Sequence, residues 1–531
     1  MAHRTESEVL IIGSGFGGSI AAKRLTDAGL DVVLLERGPW RDTTPTRSMG
    51  IRARSPLPQG WRLLTHGFRS IRMPGFRKAG LTLNTRGFFE AFFANGIWLF
   101  CTSNVGGGSH AYAGLHDRPG KHRFWDGHHP DLSHDAMDPY YDQIIAQFGS
   151  RPVCAEDRVP NHMTLNGGNH PLDASAQRDP AVGLLLPLIP GNPRKVADAL
   201  GVERWECAMD DNSFLGSASG AKTTLDFAFL WPAIKNGLDL RELSEVRTIH
   251  ALPDAGDGPR YEVRYRDHKR RRNAVHRARH VIVAAGGINT VRLLMHSRDV
   301  AKGLNGMPRL GHGIGGNGDF FGFWQEDSAE DLTKGLPVGG GFKARGSKHD
   351  DAYIVRAGLQ GLDHYPLPKR LKRWLRGQSI IIGLGKDEAN GESRMRGRKY
   401  LLSYDRDRNP GYDAMDDWMA EVEAATATKV YKFRTPISVH PMGGAGIGAD
   451  ADHGVIDANG EVYGHPGLYV ADSAAFPEAP GGPPSMTISV WSANVADRLI
   501  DRLGRGARPG PHAATALGAE LTCPKIGVAV G

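Results

Sequence analysis

Cysteine is scarce in this chain of 531 residues, which contains only Cys101, Cys154, Cys207 and Cys523. These four residues are far apart and show neither a C-x-x-C spacing nor a metal-ligand pattern. The scarcity argues against a disulfide-rich scaffold, and the spacing argues against a redox dithiol and a cysteine metal site. We therefore expect structural free thiols and no bound metal.

Long hydrophobic runs are also absent. No stretch of 18 or more apolar residues occurs, so the sequence predicts no transmembrane helix. The first predicted strand begins at Glu8, which leaves no room for a signal peptide, and we therefore expect a cytoplasmic protein. Apolar residues make up 40% of the chain and charged residues 23%, as in ordinary globular proteins. The length suits two domains better than one core.

The formal net charge of +7 raises the question of nucleic-acid binding. The densest basic run, residues 268–272, lies between an alternating segment and a buried strand, and no aromatic stacking pattern accompanies it. This arrangement is typical of a solvated hairpin tip, and we expect no nucleic-acid partner. Residues 51–100 instead mix basic and aromatic side chains. That mixture suits either a lid in peripheral contact with a membrane or an ordinary covering loop.

The N-terminal segment has the pattern of a nucleotide-binding β-α-β unit. A buried run from Glu8 to Ile12 is followed by a glycine-rich loop, a helical stretch over 19–28, a strand over 31–35, and Glu36. The loop has the form G-x-G-x-x-G and consists of Gly13, Ser14, Gly15, Phe16, Gly17 and Gly18. Its glycines allow a tight turn, the close approach of a pyrophosphate and helix–strand packing. Glu36 can accept hydrogen bonds from a ribose.

Four further motifs follow in order along the chain. They are a Gly-rich turn at 105–109, a buried strand with a Gly-Gly break at 280–287, a His-Pro-Met-Gly-Gly loop at 438–444, and a strand ending in Asp-Ser at 465–473 that precedes a helix from about 484. Together with the N-terminal unit, these motifs resemble those of the glucose-methanol-choline (GMC) family of FAD oxidoreductases. Within the family the chain is most similar to the cholesterol-oxidase-like branch, over roughly residues 8–502.

The resemblance implies an α/β fold. A Rossmann-like FAD-binding domain would be interleaved with an α+β substrate-binding domain built on a mixed or antiparallel sheet. The FAD-binding domain is expected to comprise residues 5–45, 95–115, 205–312 and 463–503. The substrate-binding domain is expected to comprise residues 46–94, 116–204 and 313–462, followed by a loose C-terminal tail at 506–531.

The resemblance also implies bound FAD. Some family members attach the flavin covalently through a His two residues after the position of Ser109, but this chain has Ala111 there, so we expect non-covalent FAD. Beyond the N-terminal loop and Glu36, the expected cofactor-binding residues are Gly106, Gly107, Gly108, Ser109, Val246, Ala285, Gly286, Asp472, Ser473, Pro484, Ser485 and Met486.

Oxidation of an alcohol needs a hydride acceptor, a base and the exclusion of water. His440 is the candidate base, because its small-residue loop permits close approach to a flavin and imidazole suits proton transfer near neutral pH. The cholesterol-oxidase branch has a polar Asn eleven residues beyond the Asp that corresponds to Asp472, but here that position is Pro483. Proline offers neither a side-chain donor nor an N–H. Asn317 and Ser485 are the nearest residues that could complete the catalytic site.

The implied substrate is a bulky, hydrophobic secondary alcohol such as a 3-hydroxysteroid. Lys372 stands at the position of the Glu that moves the proton during isomerisation in cholesterol oxidases. Asp363 and Glu388 are the carboxylates that could replace this Glu. We expect oxidation without efficient isomerisation. Two alternatives remain open: a GMC dehydrogenase that acts on a non-steroid alcohol with an acceptor other than oxygen, and a non-catalytic nucleotide-binding scaffold. A pyridine-nucleotide flavoprotein reductase would need a second G-x-G-x-x-G that follows a mid-chain strand, and usually a redox dithiol, and we find neither in the sequence.

Overall fold

The structure is a computed structural model. It describes residues 4–73, 80–120, 123–163, 172–173, 180–210, 213–253, 256–344, 353–385 and 387–506. Several parts of the sequence predictions lie outside these ranges: residues 74–79 of the basic and aromatic segment, residues 507–531 of the tail, which include Cys523, and short pieces of both predicted domains.

A seven-stranded sheet organises the nucleotide-binding half. Its hydrogen-bonded order is Asp239–Arg241, Val32–Leu35, Glu6–Ile12, Arg272–Val283, Tyr261–Asp267 and Ser244–Ala251, with Leu468–Val470 paired to Arg272–Val283. The strands on the nucleotide side run parallel, whereas Tyr261–Asp267 pairs antiparallel with both of its neighbours. The last four residues of the N-terminal strand, 9–12, and all of Val32–Leu35 are apolar and buried, as expected of parallel strands covered on both faces.

The helices within the described residues are mostly short. They are Phe16–Asp27, Thr44–Ser48, Arg62–His66, His134–Gln147, Trp231–Lys235, Gly287–Met295, Lys369–Leu375, Pro410–Thr426 and Ser485–Arg502. A π-helical turn, Asp226–Leu230, precedes the fifth of these helices, and another, His296–Val300, follows the sixth. Short 3-10 turns cover Gly107–His110, Ala155–Asp157, Leu362–His364, Arg406–Arg408 and Ser473–Ala475. The first and last helices pack against each other beside the seven-stranded sheet.

The second half contains smaller mixed and antiparallel sheets. A five-stranded sheet has the order Ile437–Ser438, Trp98–Thr102, Phe89–Phe93, Phe68–Arg72 and Leu81–Thr82. A four-stranded antiparallel sheet has the order Tyr353–Gly358, Ser379–Leu384, Phe320–Gln325 and Lys429–Lys432. A three-stranded sheet joins His312–Ile314, Gly391–Arg396 and Lys399–Ser403. Two-stranded pairs join Lys195–Ala197 to Glu203–Trp205, Lys343–Ala344 to Leu172–Asp173, and Leu115–His116 to Ala181–Val182.

This architecture confirms the predicted α/β fold with a Rossmann-like half and a second half built on mixed and antiparallel sheets. The exact domain limits stay a prediction. Strand Trp98–Thr102, which the prediction assigns to the FAD-binding domain, pairs with two strands, Phe89–Phe93 and Ile437–Ser438, from segments assigned to the substrate-binding domain.

Two apolar cores hold the molecule together. The larger one surrounds the seven-stranded sheet. The smaller one lies beside the four-stranded sheet, and five of its buried side chains also face the main cavity: Leu115, Val338, Val355, Ile382 and Leu384. The second core therefore provides an apolar wall for that cavity.

The described cysteines differ in state. Neither Cys101 nor Cys207 forms a disulfide bond, as expected. Cys154 is disulfide-bonded, so the expectation of a free thiol is wrong for this residue, because separation along the chain does not determine separation in the fold. In the described part of the chain, no helix combines the length and apolarity needed to cross a bilayer. Nor do those residues contain a group of three His, Cys, Asp or Glu side chains suited to holding a metal ion.

Candidate functional site

A cavity of about 780 Å³ lies at the carboxyl ends of the parallel strands. Residues within one to three positions of the ends of four of these strands line it: Gly13, Glu36, Ala284 to Gly286, and Asp472. Ligands of open α/β sheets bind at this edge, because the loops and helix N-termini that follow the strands converge there. The same cavity extends to the apolar wall of the smaller core.

The N-terminal glycine loop has the shape that a diphosphate needs. Gly13 has a φ of +99°, which favours glycine. A Cβ on Gly17 would lie 1.8 Å from the carbonyl oxygen of Ala471, and one on Gly18 would lie 1.9 Å from the oxygen of Gly13, so both glycines are required by packing. A Cβ on Gly15 would meet nothing within 4 Å and would enter open space at the cavity wall. The loop therefore fits a dinucleotide, whose diphosphate can approach Gly15.

Glu36 is held rigidly beside this loop. Its Oε2 accepts hydrogen bonds from the backbone amide of Ser14 at 2.9 Å and from the Ser14 hydroxyl at 2.8 Å. Its Oε1 accepts one from the amide of Gly38 at 2.6 Å. The carboxylate is buried and lines the cavity. It is thus a preorganised acceptor at the place where a ribose would lie.

The Gly-rich turn of the second motif packs against the first loop. Gly106 and Gly107 both have positive φ values, and the amide of Gly106 donates to the hydroxyl of Ser14 at 3.2 Å. Gly107 and Gly108 line the cavity. Ser109 lies behind them, buried, and its hydroxyl donates to the carbonyl of Gly106 at 2.7 Å. The turn therefore presents two glycine backbones to the cavity, and the hydrogen bond from Ser109 stabilises it.

Asp472 joins two of the strand ends. Its carboxylate accepts hydrogen bonds from the amide of Gly286 at 2.8 Å, the hydroxyl of Thr290 at 2.5 Å and the amide of Ala474 at 2.9 Å. Burial raises the pKa of Asp472 to about 6, although these hydrogen bonds oppose the shift. Its neighbour Ser473 lines the cavity, as do the predicted Ala285 and Gly286.

Of the remaining predicted cofactor-binding residues, four line the cavity and one lies in the core. Phe16 and Val246 line the cavity, together with Pro484 and Ser485 at the start of the last helix. Met486 is fully buried in the larger core. Its side chain therefore packs the last helix, while the helix N-terminus itself reaches the cavity.

Asn317 and Ser485 occupy different positions relative to the cavity. The Ser485 hydroxyl donates to the carbonyl of Leu115 at 3.2 Å. Asn317 is buried behind the loop that contains Pro483, and its Nδ2 donates to the carbonyl of Gly482 at 2.9 Å. The structure thus brings Ser485 and Pro483 to the wall of the cavity but not Asn317.

His440 lines the cavity and is 27% exposed. Its Nδ1 lies 2.9 Å from Oδ1 of Asp319, a carboxylate that is completely buried. The other oxygen of Asp319 accepts hydrogen bonds from the amide of Val439 and the hydroxyl of Ser438, both at 2.9 Å. A carboxylate with no proton can only accept, so the neutral imidazole carries its proton on Nδ1 and leaves Nε2 as an acceptor.

Asp319 contacts the predicted base, but the sequence did not lead us to predict it as a site residue. It closes the Gly-rich run 310–319, and 121 residues separate it from His440. The only signal in the sequence is an acidic side chain at the end of a glycine-rich segment. This signal does not predict that the side chain contacts His440. Arg37 and Asn104 also line the cavity without having been predicted, although each lies within two residues of a predicted site residue.

The rest of the cavity wall is mainly apolar or aromatic. It includes Leu115, Phe214, Phe321, Val338, Val355, Tyr365, Ile382 and Leu384. Among the described residues, the carboxylates on the wall are Glu36, Glu245 and Asp472, which belong to the nucleotide-binding half. Lys372 is not on the wall, and its Nζ instead donates to the carbonyl of Asp363 at 3.1 Å.

A Rossmann-type sheet, a dinucleotide loop and an oriented imidazole on one cavity define a nucleotide-dependent oxidoreductase. A family model described as an FAD-binding domain matches residues 6–55, and two models described as GMC oxidoreductase match residues 192–315 and 389–491. The chain belongs to the GMC oxidoreductase family. It is therefore an FAD-dependent enzyme that oxidises alcohols at a CH–OH group, as predicted.

Relatives of known activity cover much of the chain. A cholesterol oxidase from Acinetobacter baumannii is 24% identical over 91% of this chain and 92% of its own length. A 2-methyl-1,2-propanediol dehydrogenase from Mycolicibacterium austroafricanum is 28% identical over 55% of this chain and 51% of its own. The crystal structure of pyridoxine 4-oxidase from Mesorbium loti matches with a TM-score of 0.57 at 17% identity, over 93% of this chain and 99% of that one. The last match supports the fold alone.

Proposed function

We propose that this enzyme oxidises a bulky, hydrophobic secondary alcohol of the 3-hydroxysteroid class, with His440 as the proton acceptor. The observation that carries the proposal is the pair formed by His440 and the buried Asp319 on a cavity that joins a dinucleotide loop to an apolar wall. When bound, FAD supplies the hydride acceptor at its N5.

The chain's own residues would act on the hydroxyl group. Nε2 of His440 takes the proton, and the Asp319 carboxylate fixes the ring and stabilises the positive charge that develops on it. The apolar wall excludes water, which strengthens these electrostatic interactions. Ser485, whose hydroxyl donates to a backbone carbonyl, is a second polar group on the wall near Pro483.

We also propose that FAD is held without a covalent bond. His110 is the nearest histidine to the Gly-rich turn, and it is buried, with its Nε2 2.9 Å from the carbonyl oxygen of Val105. It does not line the cavity, and Ala111 provides no nucleophile. The loops that would approach the cofactor present Gly15, Gly107 and Gly286 to the cavity, and these residues have no side chain that could form a covalent link.

The apolar wall supports the substrate class, and the positions of the carboxylates support oxidation without efficient isomerisation. Double-bond migration needs a base that moves a proton within the substrate. Within the described part of the wall, no carboxylate stands among the apolar residues. A second candidate is a smaller non-steroid alcohol with an acceptor other than oxygen, which the similarity to the 2-methyl-1,2-propanediol dehydrogenase favours.

Anaerobic reduction of the bound flavin separates these candidates. A panel would contain a 5-ene-3β-hydroxysteroid, a saturated 3β-hydroxysteroid and a small diol. We expect both steroids to bleach the flavin, with the 5-ene product lacking the ultraviolet band of a conjugated enone. Bleaching by the diol alone would contradict the steroid class, and rapid appearance of the enone band would contradict the absence of an isomerising base.

We further propose that residues 51–100 contact a membrane surface. Trp61 is 76% exposed and Leu64 is 72% exposed, and Leu63 and Phe68 of the same segment line the cavity. Arg62, between the two exposed residues, can meet an anionic headgroup. Co-sedimentation with vesicles of phosphatidylcholine and phosphatidylglycerol should weaken in W61S/L64S but not in L188S/I189S, which removes another pair of exposed apolar side chains outside the segment. Equal sedimentation of the two variants would contradict the proposal.

A further inference from the structure

Asp387 is a buried carboxylate that does not line the cavity. One oxygen, Oδ2, accepts hydrogen bonds from the backbone amides of Gly316 at 2.5 Å and Gly318 at 3.3 Å. The other, Oδ1, accepts hydrogen bonds from the amide of Ala389 at 2.8 Å and the hydroxyl of Tyr404 at 2.9 Å. Both oxygens are therefore occupied by donors, and two of these donors belong to one turn.

That turn lies between two buried carboxylates. The Ser438 hydroxyl lies 2.9 Å from the carbonyl oxygen of Gly316 and 2.9 Å from Oδ2 of Asp319, so the two acceptors share its one proton. A Cβ on Gly316 would lie only 2.9 Å from the Cβ of Ser438, so the turn fits closely against the strand before the base. The amide of Asp319 donates to the same Gly316 carbonyl at 3.1 Å. The position of the Gly316 carbonyl thus fixes the backbone amide of Asp319.

We infer that Asp387 is a positioning residue for the catalytic base. It holds the turn that ends in Asp319, and Asp319 in turn fixes Nδ1 of His440. The inference rests on the proposed role of His440. It adds to that role a second, remote carboxylate that acts through the backbone rather than on the substrate.

Asparagine in place of Asp387 tests the arrangement, because it keeps the volume and removes one acceptor. All four groups that contact the Asp387 carboxylate donate hydrogen bonds to it. Three of them, on Gly316, Gly318 and Ala389, are backbone amides, which can donate but cannot accept a hydrogen bond. Whichever way the Asn amide turns, its NH₂ faces at least one backbone N–H. An unpaired buried donor is costly, so the turn is expected to loosen.

The measurement is the tautomer of His440 in the flavin-bound enzyme, observed by NMR with ¹⁵N-labelled histidine. Comparison with His440→Gln identifies the signal. In the wild type we expect a neutral ring protonated on Nδ1, and in Asp387→Asn we expect a larger share of the Nε2–H form. Displacement of the base by a fraction of an ångström to about 1 Å should slow flavin reduction on the order of 10- to 100-fold. KM should change much less, since Asp387 touches no substrate.

Two further variants make the outcome decisive. Asp457→Asn is the control for the same exchange in a turn that does not line the cavity, because Asp457 accepts two backbone amides, those of Asn459 and Glu461, on one oxygen that the Asn carbonyl can replace. It should leave the tautomer and the rate unchanged. Tyr404→Phe removes a single donor to Asp387 and should produce a smaller shift in the same direction.

An unchanged tautomer and rate in a folded Asp387→Asn would overturn the inference. If that variant does not fold, the same result in Tyr404→Phe would overturn it. A similar loss of rate in Asp457→Asn would also count against it, because the effect would then be general loosening. If no alcohol reduces the wild-type flavin, the proposed function fails, whereas the tautomer measurement still decides whether Asp387 positions His440.

Discussion

Replacement of Asp319 by Asn tests the central pair of the site. Asp319 accepts the Nδ1 proton of His440 on one oxygen and the amide of Val439 on the other. Asn keeps the shape but offers one oxygen and one NH₂ group. If the NH₂ faces Val439, two donors meet. If it faces His440, the neutral ring must move its proton to Nε2, and the atom that should receive the substrate proton is then no longer an acceptor.

The size of the effect follows from the bond that is lost. A hydrogen bond to a charged group contributes about 1.5–3 kcal/mol. Since about 1.36 kcal/mol corresponds to a factor of ten in rate, flavin reduction should slow by about 10- to 150-fold. The buried position of Asp319 favours the upper part of this range, because little water can replace the missing oxygen.

The assay is anaerobic stopped-flow reduction of the flavin by a saturating alcohol, with absorbance followed near the flavin maximum. Flavin content and thermal unfolding of the variant serve as checks that only the site has changed. Asp457→Asn, which alters a turn outside the cavity, should reduce its flavin at the wild-type rate. Reduction of Asp319→Asn at the wild-type rate would refute the role assigned to the pair.

Three other predictions follow from the site. His440→Ala should keep its FAD but reduce it on the order of 10²–10⁴ times more slowly, and rapid reduction would remove His440 from the mechanism. Gly15→Val should yield a folded protein without flavin, because its side chain enters open space within the cavity, and full flavin content in this variant would contradict the diphosphate assignment. In the apoprotein, burial raises the pKa of Asp472 from 3.8 to about 6, so its contribution to the unfolding free energy is present below pH 3.8 and is lost as the pH rises through about 6. The loss is about 3 kcal/mol at most, and urea unfolding should show a smaller decline between about pH 4 and 7 in Asp472→Asn than in the wild type.

The sequence alone determined the elements of the nucleotide-binding unit. The predicted helix over 19–28 is observed as Phe16–Asp27, and the predicted strand over 31–35 as Val32–Leu35. These elements are contiguous, and their apolar periodicity and glycine spacing encode them locally. For the same reason the roles expected of Gly13, Gly15 and Glu36 follow from local spacing, since the whole unit lies within the first forty residues.

Only the tertiary structure decided which distant side chains meet. The contact between His440 and Asp319 joins residues 121 positions apart, and that between Ser485 and Leu115 joins residues 370 positions apart. It also placed Asn317 behind the loop of Pro483 rather than on the cavity wall, and the side chain of Met486 in the core. Periodicity shows which face of an element is buried, but a pairing between buried polar groups depends on how separate segments pack, and no local pattern carries that information.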